Sequence, residues 1–197
     1  MPSPDTRICF IGDSFVNGAC DPEFLGWTGR VCAAAARAGH TITHYNLGIR
    51  RDTSVDIAAR WQTEVGQRLN SQFDSRLVFS FGANDTTFEA GAQRLDREAS
   101  LHHARQILGA ARELYPCLWI GPPPVAEATH NQRSSHLCAA FELLAAELKV
   151  PYLPVLQTLS NSKTWMEEVI SGDGAHPQAG GYREMARLVQ AWPAWWF

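Results

Sequence analysis

The stretch RICFIGDSFVNG, residues 7–18, begins with five residues of strand character and ends in a turn of glycine and polar side chains. The mostly apolar run 7–11 predicts a buried strand, which stops at Gly12. Asp13 and Ser14 follow at the end of that strand, and both residue types commonly cap helices. The stretch therefore predicts a strand that ends in a turn. Its carboxylate and hydroxyl are either plain helix caps or functional groups.

Strand-like and helix-like segments alternate along the rest of the chain. The predicted strands are 7–11, 41–47, 76–81, 117–120 and 150–155, and the predicted helices are 26–39, 53–69, 94–115, 134–148 and 179–192. Alternation of this kind builds parallel βαβ units with right-handed crossovers. We therefore predict an α/β fold with three α/β/α layers, in which a flavodoxin-like five-stranded parallel sheet has the order 2-1-3-4-5.

The length and composition are those of one globular domain. The chain has 197 residues, 45% of them hydrophobic, and a net charge of −3, so we expect a single domain over residues 1–197. This charge favours neither nucleic acid nor an acidic membrane as a partner. We expect no membrane span and no secretory signal, which predicts a cytoplasmic location.

The five cysteines do not form a recognisable framework. Their number is odd and no pair has C-x-x-C spacing, which argues against disulfides and against a zinc site. We expect buried free thiols, no metal and no cofactor. The residues are Cys9, Cys20, Cys32, Cys117 and Cys138.

Polar residues follow each of the first three predicted strands. They are Gly12-Asp13-Ser14, Asn46-Leu47-Gly48 and Gly82-Ala83-Asn84-Asp85, and the last loop, SGDGAHP at 171–177, adds an aspartate and a histidine. The carboxyl ends of parallel strands share one edge of the sheet, where ligands bind near the switch in strand order. We therefore expect these side chains to form one site.

This set contains the groups that acyl transfer requires. Ser14 can act as the nucleophile, His176 as its base, and Asp173 as the group that orients the imidazole. The backbone N–H groups of Ser14 and Gly48, with the Asn84 amide, can stabilise an oxyanion. Each residue alone has an ordinary explanation, such as a helix start, a solvated histidine or a turn glycine. Their coincidence at one edge favours a catalytic site.

Four sequence blocks resemble the SGNH (GDSL-type) esterase/lipase superfamily. They are GDSFVNG (12–18), NLGIRRDTS (46–54), GANDT (82–86) and DGAHP (173–177). The resemblance implies a three-layer hydrolase in which Ser14 is the nucleophile, His176 the base and Asp173 its partner. It also implies oxyanion donors at Ser14, Gly48 and Asn84.

The chain departs from the family pattern at two places. Phe15 replaces the leucine that usually follows the serine, and residues 49–51 interrupt the second block. Arg50 and Arg51 are therefore either solvated or in contact with an acidic substrate. Asp13 and Asp85 are expected to fix turns or to contact the substrate.

The interpretation that we favour is a serine hydrolase that cleaves carboxyl esters with small or short acyl groups. Thioesters, lysophospholipids and glycan acetyl groups are alternatives on the same site. A metal-dependent phosphoesterase that uses Asp13, Asn84, Asp85, Asp173 and His176 is an alternative of another class. A non-catalytic ligand-binding module is a further alternative. The tryptophan-rich C-terminus is compatible with a homo-oligomer.

Overall fold

The computed structural model describes residues 5–197. The strands of this range are β1 Thr6–Gly12, β2 Ile42–Gly48, β3 Asp74–Ser80, β4 Phe88–Glu89, β5 Ala92–Gln93, β6 Cys117–Ile120 and β7 Tyr152–Leu153. The helices are α1 Ser14–Asn17, α2 Gly26–Arg37, α3 Ser54–Gly66, α4 Arg97–Leu114, α5 Ala128–Leu148, α6 Leu156–Ser160, α7 Lys163–Ser171 and α8 Ala179–Ala191.

Five strands form one parallel sheet in the order β2-β1-β3-β6-β7. Counted as strands of this sheet, the order is 2-1-3-4-5, so the predicted topology is confirmed. The central strand β1 pairs with both β2 and β3, and Gly12 lies in register with Gly48 on one side and Ser80 on the other. The three strands therefore end level with one another.

Helices cover both faces of the sheet, as the predicted three layers require. Alternate residues of β1 point to opposite faces. Ile8 and Phe10 belong to a core with α2, α7 and α8, whereas Cys9 and Ile11 belong to a second core with α3, α4 and α5. All four side chains are fully buried. Burial of an apolar side chain of this size contributes about 1.5–3 kcal/mol to folding.

The structure contains short elements that the periodicity of the sequence did not predict. These are α1, α6, α7 and the β4–β5 hairpin. The predicted strand 150–155 is reduced to Tyr152–Leu153, because the flanking Pro151 and Pro154 cannot donate to a ladder. The other predicted strands and four of the five predicted helices agree with the structure to within three residues at each end.

Helix α5 begins six residues before its predicted start because polar contacts anchor its first turns. His130 is buried and its Nε2 lies 2.9 Å from the Ala83 carbonyl oxygen. The hydroxyls of Ser134 and Thr86 are hydrogen-bonded at 2.7 Å. These polar contacts join the start of α5 to the turn after β3. Hydrophobic periodicity detects only apolar faces of a helix, so it did not indicate this part of α5.

All five cysteines are free, and four of them are buried as predicted: Cys9, Cys32, Cys117 and Cys138. Burial raises the pKa of Cys9, Cys32 and Cys117 to about 12. Cys20 is exposed, so the prediction of burial is wrong there. The reason is the loop between α1 and α2, which turns this residue outward with a φ of 67°.

No helix within residues 5–197 has both the length and the apolar character needed to cross a bilayer.

A buried carboxylate organises the α1–α2 loop, residues 18–25. Asp21 accepts hydrogen bonds from the backbone N–H groups of Glu23 at 3.1 Å, Leu25 at 3.2 Å and Gly26 at 2.7 Å. It also forms a buried ion pair with Arg30. Burial acts to raise the pKa of Asp21, but the guanidinium and the N–H groups outweigh it and lower the pKa. The loop is therefore held by one charged centre.

Replacing that centre is expected to destabilise the fold. Asp21→Ala leaves Arg30 buried without its main partner, and removing one member of a buried pair costs about 3–5 kcal/mol. The measurement is the free energy of unfolding from urea denaturation. Glu23→Ala is the matched control, because Glu23 contacts the same guanidinium from a half-exposed position. The control is expected to lose at most about 1 kcal/mol, and equal losses for both variants would contradict the assignment.

Candidate active site

A tight turn between β1 and α1 presents Ser14. Gly12 ends β1, and a Cβ there would lie 1.9 Å from the Ser80 carbonyl oxygen, so only glycine fits. Asp13 is the N-cap of α1 and accepts a hydrogen bond from the Phe15 N–H at 2.9 Å. This cap starts the helix at Ser14, whose side chain then lies at the carboxyl edge of the sheet.

Two buried aspartates hold turns around the site. Burial raises the pKa of Asp13 to about 7, against the lowering effect of its hydrogen bond from Phe15. Asp85 accepts hydrogen bonds from the Ser54 N–H at 2.8 Å and the Ser54 hydroxyl at 2.7 Å, and burial raises its pKa also. Asp85 thereby ties the turn after β3 to the start of α3. Neither carboxylate lines the cavity at Ser14.

The loop between α7 and α8 supplies a histidine and its carboxylate partner. Asp173 Oδ1 accepts hydrogen bonds from the backbone N–H groups of Ala175 at 2.9 Å and His176 at 2.8 Å. Its Oδ2 lies 2.7 Å from His176 Nδ1. Burial acts to raise the pKa of Asp173, but these hydrogen bonds outweigh it and hold the pKa well below its usual range. Asp173 is therefore ionised at neutral pH.

The structure brings Ser14, His176 and Asp173 into one hydrogen-bonded chain. His176 Nε2 lies 2.7 Å from Ser14 Oγ, while Nδ1 faces Asp173. The Phe15 ring packs against the imidazole with ring centroids 5.0 Å apart. An imidazole that donates from Nδ1 to a carboxylate has Nε2 free to accept the serine proton. The arrangement has the geometry of nucleophile, base and orienting group.

A residue that sequence reasoning missed anchors this loop. The Glu168 carboxylate, on α7, accepts hydrogen bonds from the N–H groups of Gln178 at 2.8 Å, Gly180 at 3.0 Å and Gly181 at 2.7 Å. It thus caps α8 directly after the histidine. A Cβ at Gly180 would lie 2.4 Å from Glu168 Oε1. Gly180 and Gly181 were the feature of the sequence that could have indicated a close contact at the start of α8.

Asn84 lies on the wall of the cavity that contains Ser14. One N–H of its amide donates to the Asp52 carbonyl at 3.0 Å, which fixes the side chain. A side-chain amide has two N–H bonds, so the second remains for a ligand. The Ser14 N–H lies in the first turn of α1, where N–H groups have no partner within the helix.

Gly48 does not offer its N–H to the cavity. That N–H donates to Asn46 Oδ1 at 3.0 Å, and Gly48 is not among the residues that line the cavity at Ser14. These contacts do not support the oxyanion role predicted for Gly48, which stays a prediction from the sequence. Its actual constraint is steric, because a Cβ would lie 2.2 Å from the Asn17 nitrogen and 2.7 Å from the Asp13 carbonyl oxygen. Gly48 lets the end of β2 pack against the turn that carries Ser14.

The two neighbouring arginines have different environments, although both line the cavity. Arg51 pairs with both oxygens of Glu89, at 2.7 and 2.9 Å. Its carbonyl accepts a hydrogen bond from Arg94 at 2.8 Å. Arg50 is exposed, and no ion pair within residues 5–197 includes it. The sequence analysis did not distinguish these two arginines.

The cavity has a volume of about 430 Å³ and mixed chemistry. Ser14, Asn84 and His176 supply polar groups, and Phe15 and Val125 supply apolar walls. Two residues of the phosphoesterase alternative, Asp173 and His176, lie together in a group of potential metal ligands. The group of three metal-ligand side chains found in residues 5–197 is Cys20, Asp173 and His176.

Comparisons with known proteins agree with this geometry. The model of the GDSL-like Lipase/Acylhydrolase family matches residues 10–184. No curated protein sequence matches the chain. Among solved structures, a lipolytic protein of the G-D-S-L family from Veillonella parvula superposes with a TM-score of 0.77 at 18% identity, over 94% of this chain and 96% of that one.

Two further structures have the same fold. A lipase/acylhydrolase from Enterococcus faecalis has a TM-score of 0.73 at 21% identity, over 93% of each chain. An acetylxylan esterase from Geobacillus stearothermophilus has a TM-score of 0.71 at 16% identity, over 95% of this chain and 94% of that one. Since the family model spans most of the sequence, the chain belongs to the GDSL-like lipase/acylhydrolase family and is an ester-bond hydrolase.

Proposed function

We propose that this protein is a serine hydrolase that cleaves carboxyl esters of small or short acyl groups through an acyl-enzyme. Ser14 is the nucleophile, His176 the general base and Asp173 the orienting group. The observation that carries the proposal is the hydrogen-bonded chain from Ser14 Oγ through both ring nitrogens of His176 to Asp173, with 2.7 Å at each step.

In the first half of the reaction, Ser14 Oγ attacks the ester carbonyl carbon while its proton passes to His176 Nε2. The carbonyl oxygen becomes an oxyanion that accepts hydrogen bonds from the Ser14 N–H and the free N–H of Asn84. His176 then gives the proton to the leaving alcohol oxygen, and the C–O bond breaks. The ionised Asp173 stabilises the transient imidazolium.

In the second half, water replaces the alcohol. His176 takes a proton from this water as the oxygen attacks the acyl carbon, and the same two N–H groups stabilise the second oxyanion. The proton then returns to Ser14 Oγ as the ester bond to the enzyme breaks, which releases the carboxylic acid and restores the starting state.

The cavity supports a preference for small acyl groups. It has a volume of about 430 Å³, and Phe15, Val125 and His130 line it together with Ser14. The acetylxylan esterase of similar fold makes an acetyl ester a reasonable first substrate to test. A series of aryl esters of increasing acyl length, run beside an acyl-CoA and an acetylated sugar, separates the alternatives.

The cytoplasmic location and a homo-oligomeric state stay predictions from the sequence.

Replacing the nucleophile is expected to abolish turnover and keep the fold. Ser14→Ala removes the only atom that forms the acyl-enzyme, so kcat for aryl acetates should fall by at least about 10³-fold. The measurements are steady-state hydrolysis, labelling by a fluorophosphonate probe, and circular dichroism for the fold. Wild-type activity should persist in EDTA. Near wild-type rates in the variant, or a loss in EDTA that Mn²⁺ or Zn²⁺ restores, would contradict the proposal.

Asn84 and Gly48 are expected to behave differently when each becomes alanine. Loss of one oxyanion donor lowers kcat by about 10²–10³-fold, so Asn84→Ala should lower kcat with little change in KM. Gly48→Ala should instead lower the thermal midpoint, because its Cβ collides with the backbone of Asn17. A pure KM effect at Asn84 would show that its amide binds the substrate and does not stabilise the transition state.

The pH dependence tests the pairing of His176 with Asp173. The imidazole must be neutral to accept the Ser14 proton, so kcat/KM for a neutral ester should rise with pH and reach a plateau. The ionised Asp173, whose pKa lies well below its usual range, favours the imidazolium. Asp173→Asn removes that anion, so the midpoint should move to lower pH. The plateau should fall too, because the amide can stabilise the wrong tautomer.

The measurement is kcat/KM from about pH 5 to pH 9 for both proteins. Glu168→Gln is a useful comparison, because it weakens the anchor of the same loop without touching the imidazole. If wild type and Asp173→Asn share one midpoint and one plateau, Asp173 is not the partner of His176.

A further inference from the structure

A second cavity of about 650 Å³ adjoins the one that contains Ser14. The α1–α2 loop supplies most of its wall, with Cys20 and Phe24 among the side chains, and Asn46 completes it at the end of β2. Arg50 lines both cavities. This residue is therefore the point at which they meet.

Arg50 is exposed, and none of the ion pairs formed by residues 5–197 includes it. Its neighbour Arg51 pairs with Glu89, and the acidic residue in the wall of the second cavity, Asp21, is paired with Arg30. The Arg50 guanidinium lies beside the Cys20 thiol. Burial and the Asp173 carboxylate raise the pKa of Cys20, while the Arg50 guanidinium lowers it. An unpaired guanidinium on a cavity wall is suited to a carboxylate or phosphate group.

The α1–α2 loop, which forms most of the wall of the second cavity, presents an aromatic ring. Phe24 is 92% exposed and has a φ of 56°, a left-handed backbone that non-glycine residues rarely adopt. The hydrogen bonds from the loop N–H groups to Asp21 hold it there. A large apolar ring exposed to solvent beside a cavity is available to pack against a ring of a bound molecule.

The second cavity approaches the triad from the side of Asp173. Cys20 Sγ, in its wall, is 3.5 Å from Asp173 Oδ2, behind the imidazole. His176 gives its proton to the leaving oxygen, so the alcohol part of the ester extends toward the histidine side. Because Arg50 lines both cavities, an alcohol part that extends from the cavity of Ser14 into the second cavity passes this residue.

We propose that the second cavity is the subsite for the alcohol part of the ester, and that Arg50 selects alcohols that carry a carboxylate or phosphate group. Phe24 packs against the ring of such an alcohol. The subsite rests on the proposed ester hydrolysis at Ser14. In this proposal Arg50 binds the substrate, whereas its neighbour Arg51 is paired with Glu89.

The test compares two aryl acetates of similar shape. In 3-carboxyphenyl acetate the alcohol part is an anion, whereas 3-carbamoylphenyl acetate is neutral. The readout is the ratio of kcat/KM for the anionic ester to that for the neutral ester, corrected by the same ratio for alkaline hydrolysis. This normalisation removes any effect of a variant on the chemistry common to both esters.

Arg50→Gln is expected to lower this ratio roughly fivefold, which is the effect of about 1 kcal/mol for an exposed ion pair. Arg50→Lys should keep most of the ratio because it keeps the charge. Arg51→Gln is the matched control and should leave the ratio within about twofold, since Glu89 already neutralises that residue. Raising the ionic strength from about 0.01 M to about 1 M should lower the wild-type ratio, but not that of Arg50→Gln.

An unchanged ratio in Arg50→Gln, or an equal fall in Arg51→Gln, would overturn the subsite. Binding of 3-hydroxybenzoate and 3-hydroxybenzamide, followed by ligand-observed NMR, tests it without turnover. If wild type binds the anion selectively and Arg50→Gln does not, the result supports the subsite, whether or not the esters are hydrolysed. A failure to hydrolyse either ester would count against the proposed function alone. Equal binding of the two alcohols by wild type and variant would reject the subsite.

Discussion

No side chain fits at residue 12, because a Cβ there would lie 1.9 Å from the Ser80 carbonyl oxygen of the neighbouring strand. This constraint lets β1 run between β2 and β3 to its last residue, in register with Gly48 and Ser80. Three parallel strands therefore end level, and the turns that follow them meet at one edge. The position of Ser14 at that edge is a consequence of this packing.

The carboxylates around that edge have separate tasks that depend on their surroundings. Asp173 receives N–H groups and the imidazole, so it stays ionised beside His176. Asp13 is buried with one backbone hydrogen bond, and its pKa is raised to about 7. Asp21 is also buried but has Arg30 beside it, and its pKa is lowered. The same residue type thus caps a helix, orients a base or organises a loop, according to the donors that face it.

Neighbours in sequence can differ in their partners. Arg50 and Arg51 are adjacent and both line the cavity, yet only Arg51 meets a carboxylate, from the β4–β5 hairpin. The hairpin was not predicted, so its glutamate could not be assigned to either arginine. For Gly48 and Asn84, too, the fold decides which partners their N–H groups have. Both follow strands at the same edge, but the N–H of Gly48 is taken by Asn46, whereas Asn84 keeps one N–H free.

Three features could be predicted from the sequence: the α/β class, the order of the five sheet strands, and the set of polar residues at their carboxyl ends. Apolar runs and turn residues encode these features locally, and the right-handed crossover restricts how the strands combine. Tertiary structure alone decided which donors face the cavity, that Glu168 caps α8, that Cys20 is exposed, and that Arg50 remains unpaired. These properties depend on contacts between segments far apart in the chain, such as the 162 positions between Ser14 and His176. Periodicity and spacing report only on near neighbours, whereas a hydrogen bond or an ion pair is decided by where the fold places both partners.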